Sequence, residues 1–263
     1  MPIQILSYTN LHRHADEIIH FSSTRVGGIS SGEFASLNLG NYSSDLRENI
    51  DHNRQLLCNE LGIAFSTLIG THQMHTTNVK EIDEALLAMP EPERKAAVEG
   101  FDAVITRVRG ICITTTTADC VPILLFDPLQ KAVAAIHSGW KGTLNNITAA
   151  TIDKMQERFG TDPHTLIAAI GPCISGEVYE VGEDLYQQFQ EKGFDVSRYF
   201  RPKSGGKYLF DVRAVVFDEL RAKGVKDIEV STHCTYSEPE LFFSARRQGI
   251  RSGRLLSGIG LRK

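Results

Sequence analysis

The stretch ICITTTTADCVPILLFDPLQKAVAAIH, residues 111–137, decides the fold. It holds three apolar or β-branched runs, at 111–117, 123–126 and 131–137, with no helical periodicity between them. Strands that follow one another without a crossover helix exclude a purely doubly wound parallel sheet. They point to a mixed sheet, or to two stacked sheets with helices outside.

Further strands are expected outward from this stretch, at 17–24, 67–72, 103–106, 165–170 and 227–232. Helices are expected at 46–61, 143–159, 182–192 and 212–223. In the second, Ile147, Thr151, Ile152 and Met155 recur at helical spacing, and Gly160 stands where a C-terminal cap would. Gly62, Gly193 and Gly224 stop the other three, and Ser44 and Asp45 offer caps for the first. Residues 84–100, with Pro90-Glu91-Pro92-Glu93, are polar and read as a surface excursion. No internal repeat divides the chain. The expectation is one α+β domain over residues 1–263, with mixed β-sheets and flanking helices.

With 263 residues the chain can bury a substantial core. A net charge of −4 gives no electrostatic reason to expect nucleic acid or an anionic membrane as partner. The longest apolar runs are strand-sized, so no transmembrane helix is expected. The N-terminal residues lack a basic region followed by an apolar one, so no secretory leader is expected. Five cysteines without paired spacing read as a reducing, cytoplasmic setting.

Three short runs carry chemistry: Gln73-Met74-His75, Ala118-Asp119-Cys120 and His137-Ser138-Gly139-Trp140. One thiol and two imidazoles make a three-ligand set. That is one short of a closed tetrahedral zinc site and leaves a position for water or substrate. Cys120 and His137 fall at strand ends, where functional groups emerge from a sheet. Asp119 is a candidate to orient a ligand or to move a proton. The competing reading is a core cysteine with structural histidines, since spacing alone does not bring these residues together. His72, three residues before His75, competes as a ligand. Thr24-Arg25-Val26-Gly27-Gly28 offers a guanidinium and backbone N–H groups to an anion, or only a turn. Phe242-Phe243-Ser244-Ala245-Arg246-Arg247 offers aromatics beside cations. Cys173 and Cys234 read as core residues, and Trp140 as packing.

Taken together, these runs resemble the YfiH, or laccase-domain, family, also described as multicopper polyphenol oxidoreductases. The resemblance rests on Arg25-x-Gly27-Gly28-x-Ser30, Ser36-Leu37-Asn38-Leu39, Asn53-Arg54, Gln73-x-His75, Asp102-Ala103, Ala118-Asp119-Cys120-x-Pro122 and His137-x-Gly139-Trp140. It continues through Gly171-Pro172-x-Ile174, Tyr179-Glu180-Val181, Cys234-Thr235, Phe243-Ser244-x-Arg246-Arg247 and Gly253-Arg254, over nearly the whole chain. It implies metal ligation by His75, Cys120 and His137, with zinc as the metal and copper as a substitute. It implies an α+β fold grouped with cysteine hydrolases. The implied activities are phosphorolysis of adenosine, inosine and methylthioadenosine, and deamination of adenosine. Arg25 and Arg246 are then the candidates for phosphate. Older naming as copper laccases, and a bacterial member's link to peptidoglycan precursor editing, leave two alternatives. These are a copper phenol oxidase and a Cys120/His137 amidase. The chain departs from the family pattern at Thr76, where Gly is usual, and at Ser138 and Lys141, where Ala and Arg are usual. Lys keeps the charge of Arg but loses its two-pronged fork.

Overall fold

The computed structural model describes residues 2–263. Residues 111–137 form three strands, and these divide between two sheets. Strand β6 (Cys112–Thr117) belongs to a five-stranded sheet, ordered β1 (Ile5–Leu6), β2 (Ile18–Ser23), β14 (Leu255–Leu261), β6, β3 (Leu68–Gly70). Strands β7 (Val121–Asp127) and β8 (Ala132–Ser138) form an antiparallel hairpin in a six-stranded sheet. Its order is β13 (Asp227–Val230), β9 (Ile167–Ile170), β7, β8, β5 (Ala103–Thr106), β4 (Val79–Glu81). Pairs β13–β9, β4–β5 and β3–β6 are parallel and the rest antiparallel, so both sheets are mixed. The chain passes from one sheet to the other through Ala118-Asp119-Cys120.

The sheets stack face to face. Along β7, Leu124 and Phe126 enter the core shared with Ile113 and Ile259 of the other sheet. The alternate residues Val121, Ile123 and Leu125 pack outward against the helices Ile147–Phe159 and Val212–Ala222. Burial on both faces explains why β7 and β8 read as unbroken apolar runs. The outer face of the five-stranded sheet is covered by the helix Arg47–Leu61 through Leu57 and Cys58. The order is therefore helix, sheet, sheet, helices, in the α+β class.

All eight predicted strands are present, within a few residues of their expected bounds. The predicted helix 143–159 is two helices, Trp140–Leu144 and Ile147–Phe159, broken at Asn146 with φ +59°. Asn tolerates the left-handed region better than most residues, so the break is local chemistry. Residues 84–100 hold two short helices, Glu84–Leu87 and Glu91–Ala97. A third, three-stranded sheet of β10 (Glu180–Gly182), β12 (Lys207–Phe210) and β11 (Phe200–Lys203) was not expected. Neither was β14, a strand interrupted by glycines.

Candidate metal centre

Asp102, directly before β5, is 1 % exposed. Its carboxylate accepts from the backbone N–H of Met74 at 3.1 Å, His75 at 2.9 Å and Thr76 at 2.7 Å. The same Oδ1 that serves His75 lies 2.7 Å from Nδ1 of His137 at the end of β8. Gln73 pins the other side of the loop. Its Oε1 accepts from the Thr116 N–H at 2.7 Å, and its Nε2 donates to the Thr116 carbonyl at 2.8 Å. Held between these ties, His75 takes φ +60° and turns its ring toward Cys120, with Nε2 3.9 Å from Sγ. The rings of His75 and His137 meet edge-on, 4.8 Å between centroids.

Cys120 follows Asp119, whose φ of +90° turns the chain between the sheets. The Asp119 carboxylate faces away from the histidines. Oδ1 accepts from Thr235 Oγ1 at 2.7 Å; Oδ2 accepts from Ser244 Oγ at 3.0 Å and the Arg246 N–H at 2.7 Å. It therefore ties two stretches, at Thr235 and at Ser244–Arg246, to the strand junction, while the carboxylate that meets a donor histidine is Asp102.

One donor atom from each of His75, Cys120 and His137 falls in a cluster within 4.8 Å. The donor set suits zinc or copper. Because Nδ1 of His137 is engaged by Asp102, Nε2 is left for a metal, the arrangement usual around ligating histidines. Gly139 leaves room for the cluster: a Cβ there would stand 2.8 Å from His75 Cδ2 and 3.0 Å from Cys120 Sγ. Among the described residues the cluster contains three such donors, so a bound ion would keep an open position.

Charge coupling runs through the cluster. Burial alone would raise the Cys120 thiol, but the facing His137 and His75 outweigh it and bring it down to about 6. Burial alone would lower His137; the Cys120 sulfur and Asp102 instead hold it up at about 9. Burial opposes ionisation of Asp102, yet His137 and the loop N–H groups pull it down to about 2.

Cys120 forms part of the wall of two cavities. One, of about 650 Å³, is also lined by His75, His137, Thr116, Tyr42 and Arg254. The other, of about 280 Å³, is lined by Trp140, Tyr179, Ile174 and Arg246. The Arg246 guanidinium lies 4.9 Å over the Tyr179 ring and donates to the Glu180 carbonyl at 2.6 Å. Arg25 is not brought to either cavity: it donates to the Ala35 and Pro239 carbonyls and stacks on Phe243. His72 is not in the donor cluster; its Nδ1 meets Glu99 at 2.6 Å and its ring stacks on Tyr42. Cys173 is a core residue, as expected. Cys234 is a free, buried thiol whose backbone pairs with that of Cys173, and its Sγ accepts from the Ser175 N–H at 3.4 Å. Trp140, read as packing, also lines the smaller cavity. Sequence reasoning missed Asp102 and Arg254 as site residues, although both stand in runs it singled out.

Residues 19–262 match the family described as multi-copper polyphenol oxidoreductase laccase. The chain is 40 % identical to a purine nucleoside phosphorylase of Bacteroides thetaiotaomicron, over 99 % of this chain and 97 % of that one. It is 38 % identical to an adenosine deaminase from an unknown prokaryotic organism, over 91 % and 92 %. Among solved structures, the YfiH protein of Bacillus licheniformis superposes with a TM-score of 0.89 at 26 % identity, covering 99 % of both chains.

Proposed function

Since the chain belongs to the multi-copper polyphenol oxidoreductase laccase family and is an enzyme that processes purine nucleosides, we propose that it is a zinc-dependent phosphorylase and deaminase. The proposed reactions are phosphorolysis of adenosine, inosine and methylthioadenosine, and deamination of adenosine. The observation that carries this reading is the convergence of His75, Cys120 and His137 at the wall of the larger cavity, with Cys120 also lining the smaller one. When bound, zinc supplies a Lewis acid with an open position for an oxygen of the second reactant.

The chain's own groups do the rest. Asp102 fixes the His137 ring and the loop that carries His75, so two ligands move together. The smaller cavity, between Trp140 and Tyr179, suits the flat face of a purine. Arg246, Arg251 and Arg254 are the cations that line the two cavities and could meet an anionic reactant, and Arg25 lines neither. The test is turnover of adenosine and inosine by zinc-loaded protein, with and without phosphate. Free purine base formed only with phosphate supports phosphorolysis, and inosine formed without it supports deamination. His75→Ala and Cys120→Ala should abolish both. Zinc-loaded wild-type protein that turns over no purine nucleoside would overturn the reading.

A second reading rests on the row Asp102, His137, Cys120, which has the order of an orienter, a base and a sulfur nucleophile. It would make the protein an amidase on a peptidoglycan precursor. Hydrolysis that survives a strong chelator but not thiol alkylation would select it. The copper phenol oxidase reading has the least support, because among the described residues one three-donor cluster is formed.

A further inference from the structure

Arg54 lies on the helix Arg47–Leu61 and is 4 % exposed. A guanidinium has five N–H donors. Among the described residues Arg54 makes one hydrogen bond, from Nη1 to the Leu39 carbonyl at 2.9 Å. The nearby carboxylate of Asp51, on the same helix, is held by Arg47, at 2.9 Å from its Nε and 2.7 Å from its Nη2. Burial draws the Arg54 guanidinium down to about 10. A buried cation without an anionic partner is unfavourable, so its surroundings need a reason.

The surroundings supply one. Arg54 lines a cavity of about 300 Å³, together with Arg47, Arg94, Lys95, Asn41 and Tyr42. Four cations and one carboxylate, Glu91, therefore line the space; Glu91 is already paired with Lys95, and the nearby Asp51 with Arg47. The buried Oδ1 of Asn41 has no partner; turned over, the same amide would present its N–H₂ instead. This cavity is not the one beside the donor cluster. Tyr42 forms part of both walls, and its other contact is the ring of His72, 3.8 Å away.

We propose that this cavity is a phosphate-group site, with Arg54 as its buried fork and Arg94 and Lys95 as its exposed mouth. Guanidinium matches phosphate oxygens two by two, and the mouth cations add charge that salt can screen. The proposal does not depend on which reaction the donor cluster performs. The ligand is free inorganic phosphate or the phosphate of a nucleotide.

The test is calorimetric titration of inorganic phosphate, AMP and adenosine into the full-length protein at low salt. Phosphate should bind, and binding should survive His75→Ala, which disables the donor cluster. Arg94→Ala with Lys95→Ala should weaken it roughly tenfold. Arg54→Met should abolish it, and if that variant does not fold the mouth variant decides. AMP that binds more tightly than phosphate and shares the dependence on Arg94 and Lys95 supports the site with a nucleotide as its ligand. Equal affinities support it with free phosphate. Phosphate binding unchanged in the mouth variant, lost in His75→Ala alone, or absent at millimolar phosphate would overturn the proposal.

Discussion

Oδ1 of Asp102 lies 2.7 Å from Nδ1 of His137, and the same carboxylate takes the backbone N–H groups of Met74, His75 and Thr76. One buried charge thus sets the position of two of the three donors. Asp102→Asn keeps the shape and removes the charge. Its expected effect is a loss of zinc affinity of about 10- to 100-fold, the range found when a ligand's hydrogen-bonding partner is altered. Competition with a chromophoric chelator measures it. Unchanged affinity would mean that Asp102 does no more than close the loop.

Gly139 is the narrow point of the centre. A methyl group there would meet His75 Cδ2 at 2.8 Å and Cys120 Sγ at 3.0 Å. Gly139 has φ −77°, so Ala adds no backbone strain. Gly139→Ala should therefore fold normally and displace the donors, lowering kcat/KM on the order of 100-fold. Circular dichroism melting and steady-state turnover together check this; a melting point that falls as steeply as turnover would count against it.

Metal removal should expose one thiol selectively. Cys120 is partly accessible and is lowered by its two imidazoles; burial raises Cys58, Cys112 and Cys173, and Cys234, lowered by hydrogen bonds from Ser175 and Ser237, is buried. After chelation, iodoacetamide at pH 7 should label Cys120 first, and added zinc should block the labelling. Mass mapping of the alkylated peptides identifies the site. Equal labelling with and without zinc would remove Cys120 from the ligand set.

How much of this was legible depends on how each part earns its place. β7 and β8 are buried on both faces, so their apolar runs announce them. β14 is equally buried but reads Leu255-Leu256-Ser257-Gly258-Ile259-Gly260-Leu261, and its glycines look like turn residues. They are there for close approach: a Cβ on Gly260 would lie 2.1 Å from the Ile111 carbonyl oxygen, and one on Gly258 would lie 2.7 Å from Phe21. The donors were legible because thiol and imidazole are rare and chemically distinctive. Asp102 was not, since an Asp before a strand is common and its partners are 26 to 35 residues away. Asp119 stood next to Cys120 in sequence and drew the role that Asp102 occupies in space. Arg25 was chosen for its glycine neighbours, but its guanidinium is turned to the carbonyls of Ala35 and Pro239 and lines neither cavity.

Glu219 gives a pH dependence separate from the metal centre. It lies between the helices Val212–Ala222 and Ile147–Phe159; Oε1 accepts the Ala149 N–H at 3.0 Å and Oε2 has no partner. Burial is the largest influence and pushes its carboxyl from 4.5 up to about 7, against the opposing pull of the Ala149 N–H. The folded protein then keeps this proton up to about pH 7, while the unfolded chain releases it near pH 4.5. In that window the unfolded state binds fewer protons, so stability falls as pH rises. The loss amounts to about 3 kcal/mol once pH exceeds 7. Glu219→Gln keeps the acceptor for Ala149 and cannot ionise. Its stability relative to wild type should be near zero at pH 4 and rise in its favour through pH 7. Urea unfolding of both proteins at several pH values measures the difference, and a difference that does not change with pH would show that Glu219 is ionised and solvated in the folded state.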